Sequence, residues 1–397
     1  IHLGDWGIPI SQILTFCYEN KIEISKISAE DLQNIYPVAS KEFLQNEDFR
    51  NKVNSNLKKL NLKESKILND WNQISNITVE NVKKTLQKLN HTFDLFYGES
   101  TVVDLIPDMI SKMKIEDKVE LDDGALVSKE IADPPILILK SDGSYLYMTT
   151  DLATVIDREA SLSPDYYIYV VDMRQSEHFK QLFSSVKFFE LSDSFFEHVG
   201  FGTINDADGK PFKTREGDVY PLESLWQDIF NILREKNNEK NSSILTNSVL
   251  VYSDLLIDRR SNYKFDIKKF TNTEGKTAVY LQYTKVRITS ILNSAQQKQY
   301  ISEIQEEKFS QTEKELILSL VKFSNVFNRS KKLKEPHHLA DYLYEICQKF
   351  NSFYKEIKVL DSSNLNLQNR RLNLSIIALN IIELLFKILG IESVDKM

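Results

Sequence analysis

The segment Asp208-Gly209-Lys210-Pro211-Phe212-Lys213-Thr214-Arg215-Glu216-Gly217-Asp218 brings three cations, two glycines and a hydroxyl into eleven residues, just after a β-type run. Glycine lets backbone amides approach an anion and Lys and Arg supply charge, so such a loop can cradle a phosphate; an ordinary exposed turn draws on the same residue types. The spacing is not that of a P-loop, which needs Gly-Lys-Ser/Thr before a helix. A second segment, Tyr145-Leu146-Tyr147-Met148-Thr149-Thr150-Asp151, runs out of a strand into a helix and sets Asp151 near a helix N-terminus at the carboxyl end of a strand. Ligands bind there in open α/β sheets. A carboxylate with a phenol beside it suits a cationic substrate held by charge-assisted hydrogen bonds. The plainer alternative is that Asp151 or Thr150 caps the helix. Val170-Val171-Asp172-Met173-Arg174-Gln175-Ser176-Glu177-His178 ends a further strand in polar groups at the same rim, as site or as cap, with His178 read as structural rather than as a base.

The elements that must position these groups follow from periodicity. Ile13, Leu14, Phe16 and Cys17 have helical spacing, and Ser28 to Asn90 reads as a polar, Gly-poor helical insertion with Leu57, Leu60, Leu62 and Trp71, Ile74, Ile77 as buried stripes. Short β-type runs follow at Pro135–Leu139, Ser144–Met148, Tyr166–Asp172 and Phe195–Thr203, with Asp142-Gly143 as a hairpin signal and helices over Thr150–Ser161 and Ser176–Phe183. Strands alternating with helices predict a parallel α/β sheet. Beyond Gly275 the pattern turns helical: Lys314 to Asn328, Pro336 to Ile357 and Leu372 to Leu389, the last stopped by Gly390, predict an antiparallel bundle.

The chain has 397 residues, 42% hydrophobic and 27% charged, which excludes a disordered or fibrous protein. Two cysteines, Cys17 and Cys347, rule out a disulfide scaffold and fit a reducing compartment. No apolar run is expected to reach the roughly 20 residues of a membrane span. Fifty basic against 57 acidic residues leave −7, so any nucleic-acid contact needs a local patch. A nucleotide-dependent oxidoreductase is disfavoured because no Gly-x-Gly-x-x-Gly turn follows a strand.

In chain order, His2-Leu3-Gly4-Asp5-Trp6-Gly7, Gly98-Glu99-Ser100, Asp142-Gly143 to Tyr147 and Asp151, Arg174-Gln175 with His178, Gly209 to Arg215, Tyr252-Ser253-Asp254-Leu255, Asp258-Arg259, Glu274-Gly275, Tyr280-Leu281-Gln282-Tyr283 with Arg287, and Glu335-Pro336-His337 to Phe350-Asn351 resemble the arginyl-tRNA synthetases, a class I aminoacyl-tRNA synthetase family. The resemblance covers essentially the whole chain. It implies a Rossmann-like α/β catalytic domain over 1–275, with a helical insertion at about 20–95, and an all-α anticodon-binding bundle over 276–397. It also implies ATP-dependent activation of arginine to arginyl-adenylate, with magnesium accompanying ATP, and transfer to the 3′ end of arginine tRNA. Tyr147, Asp151 and Gln175 match positions that recognise arginine. Lys210, Lys213 and Arg215 match the loop that neutralises departing pyrophosphate, and His198, Val199 and Gly209 match ATP-binding positions. Tyr283 and Arg287, four apart on one helix, match tRNA contacts, with Lys285, Lys331, Lys332, Lys334, Tyr342 and Tyr354 as further candidates.

The His-x-Gly-His signature of class I and the first strand-helix unit are absent from these 397 residues, and Ile8-Pro9-Ile10-Ser11 replaces a Thr-Gln-Phe-Gly-like stretch. The expectation is therefore a carboxyl-terminal portion of such an enzyme, cytoplasmic and monomeric, with impaired activity on its own. A non-catalytic tRNA-binding paralogue is the alternative; the intact Lys210 to Arg215 loop and the Tyr147/Asp151 pair argue against it.

Overall fold

The computed structural model describes residues 1–129, 135–141, 143–205, 221–296, 300–301, 308–361 and 363–397. Contacts divide the chain into two compact units, Ile1–Tyr169 with Arg174–His198, and Val170–Met173 with Val199–Met397.

The first unit opens with β1 (His2–Leu3), α1 (Ile8–Glu19), α2 (Ala29–Gln45), α3 (Glu47–Asn61), α4 (Ser65–Lys88) and β2 (Tyr97–Gly98). α1 carries Pro9 in its first turn, where no intrahelical N–H is needed, and buries Ile10, Leu14 and Cys17 on one face. α2 starts on a capping box between Ser28 and Asp31. The three insertion helices bury Leu32, Ile35, Leu60, Ile67 and Ile74 in one core with Trp6, Ile10 and Leu14. Although 95 residues separate them, β1 and β2 pair in parallel, His2 opposite Tyr97 and Leu3 opposite Gly98. Then come α5 (Ile106–Ile115), β3 (Val119–Asp122), β4 (Ala125–Ser128) and β5 (Leu137–Leu139), the strands antiparallel in that order. α6 (Tyr147–Leu162), β6 (Tyr166–Tyr169), α7 (Ser176–Phe188) and β7 (Phe195–His198) follow, with β6 and β7 parallel and Tyr169 opposite His198.

The expected strand at Ser144–Met148 is a single antiparallel bridge, Tyr145 to Leu139, after which α6 begins at Tyr147. Thr149 explains the early start. Its hydroxyl accepts the Leu146 N–H at 3.2 Å and donates to the Ile138 carbonyl at 2.5 Å, which caps the helix and ties it to β5. Gly143 takes φ +77°, as a tight turn requires; Asp142 lies outside the described residues.

The second unit contains β8 (Ile204–Asn205) parallel to β9 (Tyr263–Lys264), α8 (Leu222–Arg234), α9 (Glu239–Leu255), α10 (Ile267–Phe270), α11 (Ala278–Ser294), α12 (Gln311–Leu320), α13 (Phe323–Leu333), α14 (His337–Glu356) and α15 (Leu365–Leu389). The stripe predicted for α14 is buried at Leu339, Leu343, Ile346, Phe350 and Phe353, against Leu281, Ile288, Leu316, Ile382 and Leu385 of its neighbours. Gly390 ends α15 at φ +71°. The helix expected over Lys314–Asn328 is two helices. The Tyr342 hydroxyl of α14 shares its proton between the Ser319 carbonyl at 2.8 Å, which also accepts the Lys322 N–H at 3.3 Å, and the Leu320 carbonyl at 3.3 Å, at the end of α12. α15 corrects a second expectation. With 25 residues it is long and apolar enough to cross a membrane, yet in this fold it packs against α9, α11, α12 and α14 as a core helix. Both cysteines are buried and free.

Candidate functional site

The parallel pairing of β1 with β2 brings the loop after Leu3 against the turn after Gly98. The Asp5 carboxylate accepts hydrogen bonds from the Ser100 N–H at 2.9 Å and the Ser100 hydroxyl at 2.6 Å. A Cβ on Gly98 would lie 2.2 Å from Asp5 Oδ2, so only glycine leaves room for this approach. A Cβ on Gly4 would lie 3.9 Å from Glu99 Oε1, which places the Glu99 carboxylate over the same loop. The turn Glu99–Thr101 packs on α6, the helix that carries Tyr147 at its first position and Asp151 one turn on.

Asp151 does not cap α6. Its Oδ2 lies 2.6 Å from His178 Nε2 of α7, so His178 holds the carboxylate in place. Burial first, and then the charges of Asp151 and Asp5, push the Glu99 carboxyl up to about 7. Tyr147 is 64% exposed. Its hydroxyl is raised, by desolvation and then by the Glu99 charge. Three carboxylates thus face a common region with one of them poised near neutrality, an arrangement that favours a bound cation.

Gln175 directly precedes α7 and makes no side-chain cap hydrogen bond; α6 and α7 pack together. His198 ends β7 with its ring stacked on Phe179 at 4.8 Å, and Val199 is buried. Gly209, Lys210, Lys213 and Arg215 lie outside the described residues. In the sequence Glu99 and Asp5 stand only inside Gly-Glu-Ser and Gly-Asp-Trp-Gly; their one signal is a carboxylate beside glycine in both motifs, and the two-residue strands that join the motifs are too short for periodicity to register.

In the second unit Tyr283 and Arg287 share the outer face of α11. The Arg287 guanidinium lies 4.6 Å from the Tyr283 ring centroid and 5.2 Å from that of Tyr354 on α14, and hydrogen-bonds Asn351 Oδ1. Asn351 in turn donates to the Tyr280 hydroxyl at 2.9 Å and to that of Thr284 at 2.8 Å. Tyr283 and Tyr354 are exposed, so the stack is an open platform of two rings and a cation. Two expected contacts are not surface groups. Lys285 is buried with its ammonium donating to the Val394 carbonyl at 3.2 Å, and Tyr342 is in the core. Among the described residues, Glu335, His337 and His338 group as possible metal donors. Two imidazoles do not suit magnesium, and Arg260 occupies Glu335 at 2.8 Å.

A family model described as "tRNA synthetases class I (R), catalytic domain" matches residues 1–267, and one described as "DALR anticodon binding domain" matches residues 281–397. The fold is therefore that of a class I synthetase catalytic domain followed by an all-helical anticodon-binding domain. Arginine–tRNA ligases of Agathobacter rectalis and Alkaliphilus oremlandii are each 33% identical over the whole of this chain, which covers 74% and 73% of their lengths. The crystal structure of arginyl-tRNA synthetase from Plasmodium falciparum superposes with TM-score 0.78 at 25% identity, covering all of this chain and 69% of that one. The Thermus thermophilus enzyme shares the fold at TM-score 0.80 and 18% identity, with 100% and 75% coverage. The chain belongs to the arginyl-tRNA synthetases, the arginine–tRNA ligases of class I.

Proposed function

We propose that the acidic cluster of the first unit binds the guanidinium of arginine, with Asp151 and Glu99 as its counter-charges and Tyr147 and Gln175 completing the recognition. The observation that carries this is the placing of the Glu99 carboxylate over the Asp5 loop and against α6, the helix that presents Tyr147 and the His178-held Asp151, with the Glu99 carboxyl raised by burial and by those charges. A cation in the pocket relieves that repulsion, and a planar guanidinium offers hydrogen bonds to two carboxylates at once. His178 keeps Asp151 oriented.

With ATP bound, the arginine carboxylate attacks the α-phosphorus, pyrophosphate leaves, and the terminal adenosine hydroxyl of the tRNA then takes the arginyl group as AMP departs. The protein's share is positioning and charge stabilisation. Lys210, Lys213 and Arg215 are proposed to neutralise the leaving pyrophosphate, and His198, Val199 and Gly209 to contact ATP. Magnesium is proposed to enter as the counter-ion of ATP, held by phosphate oxygens. Tyr283, Arg287 and Tyr354 are proposed to stack on tRNA bases. We assign the catalytic part to residues 1–275, with a helical insertion at about 20–95, and the anticodon-binding part to 276–397, in a cytoplasmic monomer.

Calorimetric titration of the full-length protein with arginine and with citrulline tests the pocket. Citrulline has nearly the shape of arginine and no charge. Arginine binding with no detectable citrulline binding is expected; equal affinities would refute the reading.

A further inference from the structure

The loop Gly4–Gly7 that carries Asp5 is flanked by two glycines, one of them at φ +91°, so its own backbone does little to fix it. What fixes it comes from elsewhere in the chain. The indole N–H of Trp71, on α4 of the insertion, donates to the Asp5 carbonyl at 2.6 Å. The Trp71 ring packs edge-on against Trp6, with centroids 5.1 Å apart and planes at 74°. The Trp6 N–H donates to Asn61 Oδ1 of α3 at 3.0 Å, and Asp70, next to Trp71, accepts from the Tyr18 hydroxyl of α1 at 2.8 Å. On its other side Asp5 is bound by Ser100 and backed by Gly98.

We propose that Trp71 is a positioning residue for the arginine pocket, through which the helical insertion sets the place of the Asp5 carboxylate beside Glu99. A residue that only packed could be any large apolar side chain. Trp71 instead gives its single donor to the main-chain carbonyl of Asp5, 66 residues away in sequence, and so fixes the backbone that carries the Asp5 carboxylate. The groups facing Glu99 are Asp5 from the loop after β1, and Asp151 and Tyr147 from α6. Behind them, Asp151 is paired with His178 of α7, and His2 of β1 lies within electrostatic reach of Asp5, Asp151 and Arg158. Burial and the Asp151 charge do most to raise the Glu99 carboxyl and Asp5 adds to them, so releasing Asp5 lowers it only in part.

This inference rests on the pocket being the arginine site, and the test separates the two. In full-length enzyme, W71F, D5N, E99Q and the W71F/D5N double variant are compared by arginine KM, ATP KM and kcat between pH 6 and 8.5, and by thermal midpoint. W71F keeps the ring contact with Trp6 and deletes the donor. It is expected to raise arginine KM about fivefold, as loss of one hydrogen bond to the loop would. kcat and ATP KM should stay within twofold, and the pH midpoint of arginine KM should move below that of wild type. In the D5N background W71F should add nothing, because its effect runs through Asp5. An unchanged arginine KM and pH midpoint in W71F overturns the proposal, including when the thermal midpoint falls, since Trp71 is then a packing residue. A W71F effect undiminished in D5N overturns it too. If E99Q itself leaves arginine KM and its pH dependence as in wild type, the pocket reading fails and the inference with it.

Discussion

Glu99 is the residue whose chemistry is most altered by its surroundings. Its carboxyl sits at about 7 against an ordinary 4.5, so the folded protein holds a proton that the unfolded chain has released between those values. Stability therefore falls as pH rises from about 4.5 through 7, by an amount that solvent screening of this partly exposed group reduces, and, with Glu99 proposed as a counter-charge, arginine binding is expected to strengthen over the upper part of the same window. Arginine KM should fall several-fold between pH 6 and 8. E99Q should flatten that dependence and raise the thermal midpoint of the unliganded protein at pH 8; a pH profile unchanged in E99Q would count against the assignment. Asp151 and Tyr147 are candidates from their place at a strand-to-helix rim as well as from motif order, and Gln175 from a strand end at the same rim and from motif order. Glu99 and Asp5 were visible as motif letters, but their meeting depends on a two-residue parallel pairing across 95 positions, for which no local pattern exists. His178 has the structural role its type suggests, holding Asp151, a carboxylate of the candidate site.

At the scale of elements, long apolar stripes were the most readable feature, because a face buried at three- and four-residue spacing is a property of the local sequence. The α14 stripe and the Gly390 stop of α15 appear where the spacing puts them. Other expectations fail: Leu62, read as part of a buried stripe, is exposed, the run at Pro135–Leu139 pairs antiparallel, and two boundaries are decided by a distant side chain. Thr149 starts α6 three residues early by bonding to β5, and Tyr342 donates to the Ser319 and Leu320 carbonyls at the break between α12 and α13. Y342F keeps the buried ring and removes the donor, leaving both carbonyls without it. We expect a loss of about 1 to 3 kcal/mol in denaturant unfolding with arginine KM unchanged. A loss below a few tenths would mean that the break is set by α12 and α13 alone.

For the molecule as a whole, a net charge of −7 leaves no basic field to draw in nucleic acid, and the second unit instead offers a local platform of Tyr283, Arg287 and Tyr354. Stacking on such rings contributes about 1 to 3 kcal/mol per base. Y283A and R287A should each raise the KM for arginine tRNA about tenfold at unchanged arginine affinity, and R287A should also reduce the salt dependence of tRNA binding. Unchanged tRNA KM in both would move the RNA contact elsewhere on the helical unit. The central claim remains the acidic pocket, and its most direct test is arginine titrated into D151N of the full-length protein. Removing one charge of a half-buried pair made to hold a cation costs about 2 to 5 kcal/mol. Arginine affinity should fall at least 30-fold in D151N with ATP affinity within twofold of wild type, whereas arginine bound by D151N as tightly as by wild type would show that Asp151 is not its counter-charge.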